Sequence, residues 1–401
     1  MGLWQFDWER PRAGSQTPKL VSGNPYTGTV CTCLQGDRRG MMGTVYVDVA
    51  PEVLRWATSR AGWDESTARK RAPKLDSWLT GERRPTFAQL KDFAHATHAP
   101  FGMLFLPEPP VETLPIPDMR TMRDVAIHTP SADLLDTIYI CQWRQDWYHD
   151  YALDAGAEAL DLVGSESLRA DPLEVGARLR VLLDLDQRTV SSYVDARRDL
   201  IDRIEALGVL VMVSGIVGSN TRRKLNPQEF RGFTLVDDIA PLVFVNGADT
   251  KAAQIFTLAH ELAHVTLGHS ALSDVSLGVH GTKDEERWCN KVAAEVLVPM
   301  GAFRESFQEN VQESELERLA CQFKVSTLVI LARARDAGYL SLNDYLSRYR
   351  DELDRVSLLA QEGGVTKGGN HYHTHPLRLG REFARAVINS AMEGTTTYRD
   401  A

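Results

Sequence analysis

Hydrophobic positions in the first part of the chain recur at helical spacing and predict a series of short helices. Pro51 stands where a helix can begin, because the N–H that proline lacks is not needed in a first turn. Two further helices are predicted at 65–71 and 74–79, and Thr86 is a suitable N-cap for a fourth. Together these elements predict a helical unit over residues 45–106.

The stretches on either side of this unit have different patterns. Residues 1–44 lack periodicity and indicate a flexible N-terminal lead, with Met41-Met42 as the expected natural start. Residues 107–200 open with a proline-rich strap in which Leu114 and Ile116 are apolar. We therefore expect the strap to lie along the next domain. A helical connector follows, with helices predicted at 131–155, 172–185 and 190–207.

The pattern changes near residue 207 from helical spacing to short β-branched runs. Strands are predicted at 209–213, 233–236 and 242–245. A long apolar helix follows, capped by Asp249 or Thr250, and another helix with an apolar stripe covers 284–299. The predicted fold class is therefore α+β, mainly helical, with a short β-sheet in a domain over 201–345.

Residues 346–401 are predicted to form a C-terminal linker and a helix. Glycine pairs indicate a flexible joint, and 380–391 has the spacing of an amphipathic helix. Between them, His371, His373 and His375 would share one side of an extended segment. A second metal site is one hypothesis for these histidines, and a loop near a partner surface is the other.

Composition narrows the class of protein. The net charge is −9, so the protein as a whole is not a general binder of polyanions, and any contact with nucleic acid must come from a local patch. Five Cys residues without a framework spacing indicate reduced thiols in a cytoplasmic protein. The sequence has no apolar run of membrane-spanning length and no signal-peptide core, so no membrane partner is expected.

The helix after the third strand contains His-Glu-x-x-His, with His260, Glu261 and His264. Residues four apart lie on one face of a helix, so both imidazoles can bind one zinc ion. Glu261 lies beside them, where a carboxylate can take a proton from water. A buried helix with two hydrogen-bonded histidines would show the same pattern, so the flanking sequence must distinguish the two.

A catalytic zinc needs a third protein ligand. The long motif His-Glu-x-x-His-x-x-Gly-x-x-His is excluded, because Leu267 and Ser270 stand at its Gly and His positions. A carboxylate from the helix at 284–299 is the alternative. Glu286 continues the apolar face of that helix, and Glu285 is the next candidate. Less favoured ligands are Glu295, His269 and His280.

These segments resemble the ImmA/IrrE family of metallopeptidases. The resemblance is carried by Ile255–His264 (IFTLAHELAH), by Glu286, and by Asn290–Pro299 (NKVAAEVLVP). The family pattern after the glutamate is three residues, Asn, then Phe-Ala-Ala and Leu-Leu-x-Pro, and Val292 stands where the family often has Phe. The weaker part of the resemblance covers 45–120, which is similar to the repressor-type helix-turn-helix fused to this peptidase in many members.

The resemblance implies a zincin-like fold with Zn²⁺ as cofactor. It implies His260, His264 and Glu286 as zinc ligands and Glu261 as the catalytic base. It also implies partners, because ImmA-like members cleave or help destroy a repressor and IrrE-like members relieve repression after DNA damage. Fused members often sit beside a small toxin and resemble antitoxin components. The expected partner is thus a protein substrate or a cognate toxin.

DNA binding by the N-terminal unit is a separate hypothesis. Residues 45–110 contain nine basic and eight acidic residues, a net charge of +1, which is weak for a DNA-binding domain. A helical packing or partner-docking module is the alternative interpretation. If DNA binds, its phosphates should contact the local basic clusters, which comprise Arg69, Lys70, Arg71, Lys74, Arg83 and Arg84.

The sequence therefore leaves two functional hypotheses. The leading hypothesis is a zinc-dependent endopeptidase that acts on a specific regulatory protein and is coupled to transcriptional regulation. The alternative is an antitoxin or transcriptional regulator that binds DNA and a cognate toxin with little or no proteolysis. A structural zinc site is a third interpretation, but no Cys or His is well placed as a fourth ligand. Either function is compatible with an oligomer.

Overall fold

The computed structural model describes residues 45–118, 130–187, 190–273, 284–308, 311–362 and 371–397. These residues belong to the unit Tyr46–Ala401, apart from Val45. They contain helices and one four-stranded sheet, so the predicted mixed α+β class is confirmed. Among them, no helix is both long enough and apolar enough to cross a membrane.

The N-terminal helical unit consists of four helices and a 3-10 turn. These are α1 (Pro51–Arg60), α2 (Glu65–Arg71), α3 (Leu75–Leu79), α4 (Phe87–Thr97) and the turn Phe101–Phe105. Thr86 and Gln89 form a capping box at the start of α4, so two backbone N–H groups that lack helical partners are satisfied. The unit has its own core, built around Leu54, Leu90 and Phe93. Its assignment as a helix-turn-helix stays a prediction.

The proline-rich strap lies against the rest of the chain, as its two apolar residues lead one to expect. Ile116 is buried and Leu114 is partly buried in a core that the strap shares with the sheet. At its end, the backbone N–H of Leu272 donates to the carbonyl of Pro117 over 3.0 Å. The strap therefore borders the edge of the sheet.

The helical connector and the first strands follow the predicted order. The elements are α5 (Ala132–Asp154), α6 (Pro172–Leu182), α7 (Tyr193–Ala206), β1 (Leu210–Ser214), β2 (Gly232–Leu235) and β3 (Leu242–Asn246). Then come α8 (Lys251–Leu267), β4 (Ala271–Ser273) and α9 (Asp284–Leu297). The sequence did not predict β4, because three residues are too few to show a strand periodicity.

The strands are ordered β1-β3-β2-β4. β3 pairs in parallel with β1 and antiparallel with β2, and β4 pairs antiparallel with β2, with Gly232 opposite Ser273. Both faces of the sheet are covered. One face packs on α7, α8 and α9 in the largest core, and the other face packs on α5 and the strap. Burial on both faces explains why the strands are continuous apolar runs.

The elements that the structure describes in the C-terminal part of the chain are helices joined by short turns. Its helices are α10 (Met300–Ser306), α11 (Glu313–Phe323), α12 (Thr327–Asp336), α13 (Leu342–Glu362), α14 (His371–Leu379) and α15 (Arg381–Met392). The predicted helix at 380–391 corresponds to α15, whose Phe383 packs edge-on against Trp147 of α5 at 5.5 Å between ring centres.

The extended form considered for the histidine segment of the C-terminal part is wrong. His371, His373 and His375 lie on the helix α14 and not in an extended segment. The second metal site was argued from the alternation of an extended segment, which a helix does not have. The predicted flexible joint at 363–370 lies outside the described residues.

Candidate metal centre

Helix α8 carries the His-Glu-x-x-His segment through the interior. Thr250 caps its first turn by accepting a hydrogen bond from the N–H of Ala253, and Gly268 ends it in the left-handed conformation at φ 71°. Every residue from Gln254 to Leu267 is buried. The helix therefore places two imidazoles and one carboxylate away from bulk water. Their burial costs folding free energy unless they form hydrogen bonds or ion pairs or bind a metal.

The side chains of His260, His264 and Glu286 converge on one point. The Nε2 atoms of the two histidines are 3.2 Å apart. Nε2 of His260 lies 3.3 Å from Oε2 of Glu286, and Nε2 of His264 lies 3.2 Å from Oε1. All three side chains are 0% exposed. Their donor atoms lie within 4.8 Å of one another, so they can surround a single cation.

Three observations show that this donor set fits a metal ion. Both oxygens of Glu286 are buried and accept no hydrogen bond, so a cation would complete their environment. Burial alone would raise the pKa of Glu286, but attraction to the imidazoles of His260 and His264 lowers it to about 2. Two imidazoles and one carboxylate are, finally, a ligand set of catalytic zinc sites, which keep a fourth position open.

The outer nitrogens of the two imidazoles are held by α9. Nδ1 of His260 donates to Oδ1 of Asn290 over 3.0 Å, because an amide oxygen can only accept. Nδ1 of His264 contacts Oε1 of Glu285 at 3.2 Å. When Nδ1 carries the proton, the lone pair of Nε2 faces the cluster, as metal coordination requires. α9 thus supplies a donor atom at Glu286 and orients both rings.

The alternative ligands lie elsewhere. Glu285 contacts the outer nitrogen of His264, and the same carboxylate oxygen lies 3.2 Å from Nδ1 of the half-exposed His269. Glu295 pairs with the buried Arg333 and lies near the N–H of Met300. None of these three candidate ligands belongs to the converging set. His280 lies outside the described residues.

The thiol of Cys289 is buried beside His264 but is not part of the cluster. Burial raises the pKa of this thiol to about 11, so it stays neutral at ordinary pH. Within the described ranges, three protein donors converge at the cluster. A structural zinc site with four protein ligands therefore has no fourth donor among these residues.

Glu261 lies on the same helix and is also buried. Burial raises its pKa, and His260, His264 and a hydrogen bond from Thr234 oppose that effect. Its carboxylate accepts hydrogen bonds from the hydroxyls of Thr234 and Ser273. The sequence did not identify these two residues, because they reach the site through pairing of β2 with β4, which leaves no signal in the local pattern.

The six basic residues proposed for DNA contact lie on the N-terminal helical unit, and all are exposed. Arg69 lies 3.3 Å from Glu65 and Arg84 lies 3.0 Å from Asp48, so two of them pair with nearby acids. The core of this unit shares no residue with the core around the metal cluster.

Comparison with known proteins agrees with the location of the cluster. Residues 204–335 match a Peptidase_M78 family model, described as an IrrE N-terminal-like domain, and this stretch contains every residue of the cluster. Residues 379–401 match a domain of unknown function (DUF8813). No curated protein matches the chain. The region around the cluster is therefore similar to a metallopeptidase domain of the ImmA/IrrE type.

Proposed function

We propose that this protein is a zinc-dependent endopeptidase that acts on a specific regulatory protein and is coupled to transcriptional regulation. The observation that carries the proposal is the convergence of His260, His264 and Glu286, fully buried, with Glu261 on the same helix. Apolar side chains would fill the same buried space better, so packing alone does not account for two imidazoles and a carboxylate there.

The residues of the chain have distinct tasks in this proposal. His260, His264 and Glu286 would hold zinc, and Asn290 with Glu285 would keep the two imidazoles oriented. Zinc at such a site supplies Lewis acidity, which makes water a stronger acid and a peptide carbonyl a better electrophile.

Glu261 is the general base and acid in this scheme. Its carboxylate would take the proton of the attacking water and return it to the leaving amine. Burial is consistent with this role, because a carboxylate with a raised pKa exchanges a proton more readily near neutral pH.

The test compares the full-length wild type with Glu261→Gln and His260→Ala. We expect one zinc per chain in wild type and in Glu261→Gln, and none in His260→Ala. Immobilised Glu261→Gln should capture a protein from source-cell lysate that the wild type, but not the variant, then cleaves. Glu174→Gln on the exposed face of α6 is the matched control and should behave as wild type. Cleavage by metal-loaded Glu261→Gln, or a wild type without zinc, would refute the proposal.

The alternative is an antitoxin or transcriptional regulator that binds DNA and a cognate toxin with little or no proteolysis. One observation favours DNA contact: α2 has no buried residue, so Arg69, Lys70 and Arg71 all face solvent at its last turn. Such side chains are free to reach phosphates.

A gel shift on the protein's own promoter tests this alternative. Replacing Arg69, Lys70 and Arg71 with Ala should weaken binding and reduce the salt dependence of the affinity, since each lost phosphate contact lowers the salt slope by about 1. Lys91→Ala, an exposed site on α4, serves as the control. An identical shift for wild type and triple variant, or no shift at low salt, contradicts DNA binding through α2.

A further inference from the structure

The carboxylate of Glu261 is held by one of its two oxygens. Oγ1 of Thr234, on β2, donates to Oε2 over 2.8 Å. Oγ of Ser273, on β4, donates to the same Oε2 over 3.2 Å. Both hydroxyls are buried, so water does not compete for them. Two adjacent strands thus hold one oxygen of a buried carboxylate.

The second oxygen, Oε1, is buried and accepts no hydrogen bond. A carboxylate oxygen has two lone pairs, and the two hydroxyls account for both lone pairs of Oε2. Oγ1 of Thr234 also lies 3.1 Å from the backbone carbonyl of Glu261. A hydroxyl has a single proton, and the shorter contact to a charged oxygen is the stronger one. Oε1 is therefore the oxygen left free to accept a proton.

Gly232 of β2 lies against this free oxygen. A Cβ at this position would be 2.8 Å from Oε1, 2.6 Å from Cγ2 of Thr257 and 2.9 Å from the carbonyl oxygen of Phe244. All three distances are shorter than real Cβ contacts allow. Any other residue would therefore push on the carboxylate or on β3, so glycine lets the carboxylate keep this position.

We infer that Thr234 and Ser273 are positioning residues that orient Glu261 through Oε2, and that Gly232 provides the space in which Oε1 stays without a hydrogen bond. This inference rests on the proposed peptidase function, because it assigns Glu261 a proton to move. It adds three residues from the sheet to a site that the sequence motif places on helices alone. The roles of Thr234 and Ser273 are indirect, since they act through Glu261.

Acetohydroxamate tests the inference without a known substrate. Its two oxygens would chelate zinc, and the proton released from its hydroxyl can be held by a neighbouring carboxylate, so its affinity reports on the position of Glu261. We would measure its Kd by calorimetry on the zinc-loaded full chain. Thr234→Val and Ser273→Ala should each weaken binding about ten- to hundredfold, as expected for a hydrogen bond to a charged group, while zinc content stays at the wild-type level.

Two further variants separate positioning from packing. Thr234→Ser restores the hydroxyl but not the methyl group, and should recover most of the affinity. Thr266→Val removes another buried hydroxyl, which donates to the carbonyl of Ala263 on α8, and should leave the affinity unchanged. Failure of Thr234→Ser to recover the affinity would overturn the positioning role. Ser273→Ala, with the longer contact, provides the test if Thr234→Val does not fold.

The outcomes distinguish this inference from the proposed function. If wild type binds acetohydroxamate, Glu261→Gln does not, and Thr234→Val and Ser273→Ala bind as wild type does, the positioning inference is wrong and the peptidase proposal stands. If wild-type protein binds neither zinc nor acetohydroxamate, the peptidase proposal itself fails.

Discussion

Helices α8 and α2 both carry ionisable side chains, but the surroundings of those side chains are opposite. In α8 every residue from Gln254 to Leu267 is buried, including two imidazoles and a carboxylate. In α2 no residue is buried, and its three consecutive basic residues lie in solvent. One helix holds its polar groups in the core, whereas the other presents them to water.

This difference in burial decides whether a polar residue is evidence for a functional site. Burying an ionisable group costs several kcal/mol unless it is paired or bound to a cation, so the polar residues of α8 need a reason to be there. An exposed arginine costs almost nothing, and a pair such as Arg69 with Glu65 contributes roughly 0.3–0.5 kcal/mol. The exposed charges of α2 therefore favour DNA contact much less strongly than the buried groups of α8 favour a metal site.

Replacing a proposed zinc ligand on α8 or α9 should have the largest effect on zinc affinity and on stability. Glu286→Gln should lower zinc affinity by at least about a hundredfold, more than Glu285→Gln, which alters only the outer contact of His264 and should cost about 10–100-fold. Zinc at a hundred times its Kd stabilises the folded wild type by about 2.7 kcal/mol, and this gain should fall below about 0.5 kcal/mol in Glu286→Gln. Metal analysis and thermal unfolding with and without chelator measure both effects.

The control for this prediction lies on α2. Arg69→Ala should leave zinc content and the zinc-dependent gain in stability at wild-type values, because its side chain is 71% exposed and pairs only with the exposed Glu65. Equal zinc affinity in Glu286→Gln and wild type would contradict the assignment of Glu286 as a zinc ligand.

The next effect concerns the close approach of β2 to α8. Gly232→Ala should destabilise the protein by about 2 kcal/mol, since the added methyl group meets a backbone oxygen and two side-chain atoms below 3.0 Å. Gly301→Ala, where a Cβ meets nothing within 4 Å on helix α10, should instead stabilise it by about 0.5–1 kcal/mol. Urea unfolding of both variants measures the difference, and a neutral Gly232→Ala would contradict the tight packing around Glu261.

A third prediction compares a buried arginine with an exposed one on the same helix of the N-terminal unit. The side chain of Arg60 is 3% exposed and pairs with Glu112 at 2.8 Å and Asp136 at 2.6 Å. Arg60→Ala should destabilise by about 2 kcal/mol, less than for a fully buried pair because both acids are partly solvated. Arg55→Ala on the same helix, 60% exposed, should cost under about 0.5 kcal/mol. Equal urea midpoints for the two variants would contradict this prediction.

The smallest effect is a pH dependence of stability that arises from the partly exposed pair of His149 and Asp237. A hydrogen bond to Asp237 raises the pKa of His149, and Asp146 and Asp150 act in the same direction. Burial would raise the pKa of Asp237, but His149 and the N–H groups of Ile239 and Ala240 lower it below its ordinary value.

The raised pKa of His149 and the lowered pKa of Asp237 determine how stability changes with pH. The raised pKa of His149 contributes stability that is fully present below about pH 6.5 and is lost as pH rises through the folded-state pKa. The lowered pKa of Asp237 contributes stability that is lost only as pH falls below about 4. His149→Gln should therefore cost about 0.5 kcal/mol near pH 5.5 and almost nothing near pH 9. Unfolding at the two pH values checks this, and a larger loss at pH 9 would contradict it.

Much of the helical framework could be predicted because its signals are local. Pro51 at the first turn of α1, the Thr86 cap of α4 and the spacing of α8 depend on neighbours a few residues away. The strand β4 could not be predicted, because three residues without β-branched side chains form a strand only where β2 offers its edge. The extended form expected for His371–His375 was wrong, and the segment begins α14.

The sequence by itself determined that His260 and His264 leave one face of a helix, because an i, i+4 spacing has a single geometric outcome on an α-helix. It also narrowed the carboxylate to Glu286 or Glu285 through the phase of the second helix. Tertiary structure decided between them: α9 packs on α8 so that Glu286 meets the inner nitrogens and Glu285 the outer one. It also brought Thr234, Ser273 and Gly232 to Glu261, because contacts between distant segments depend on how sheet and helix pack and leave no periodicity along the chain.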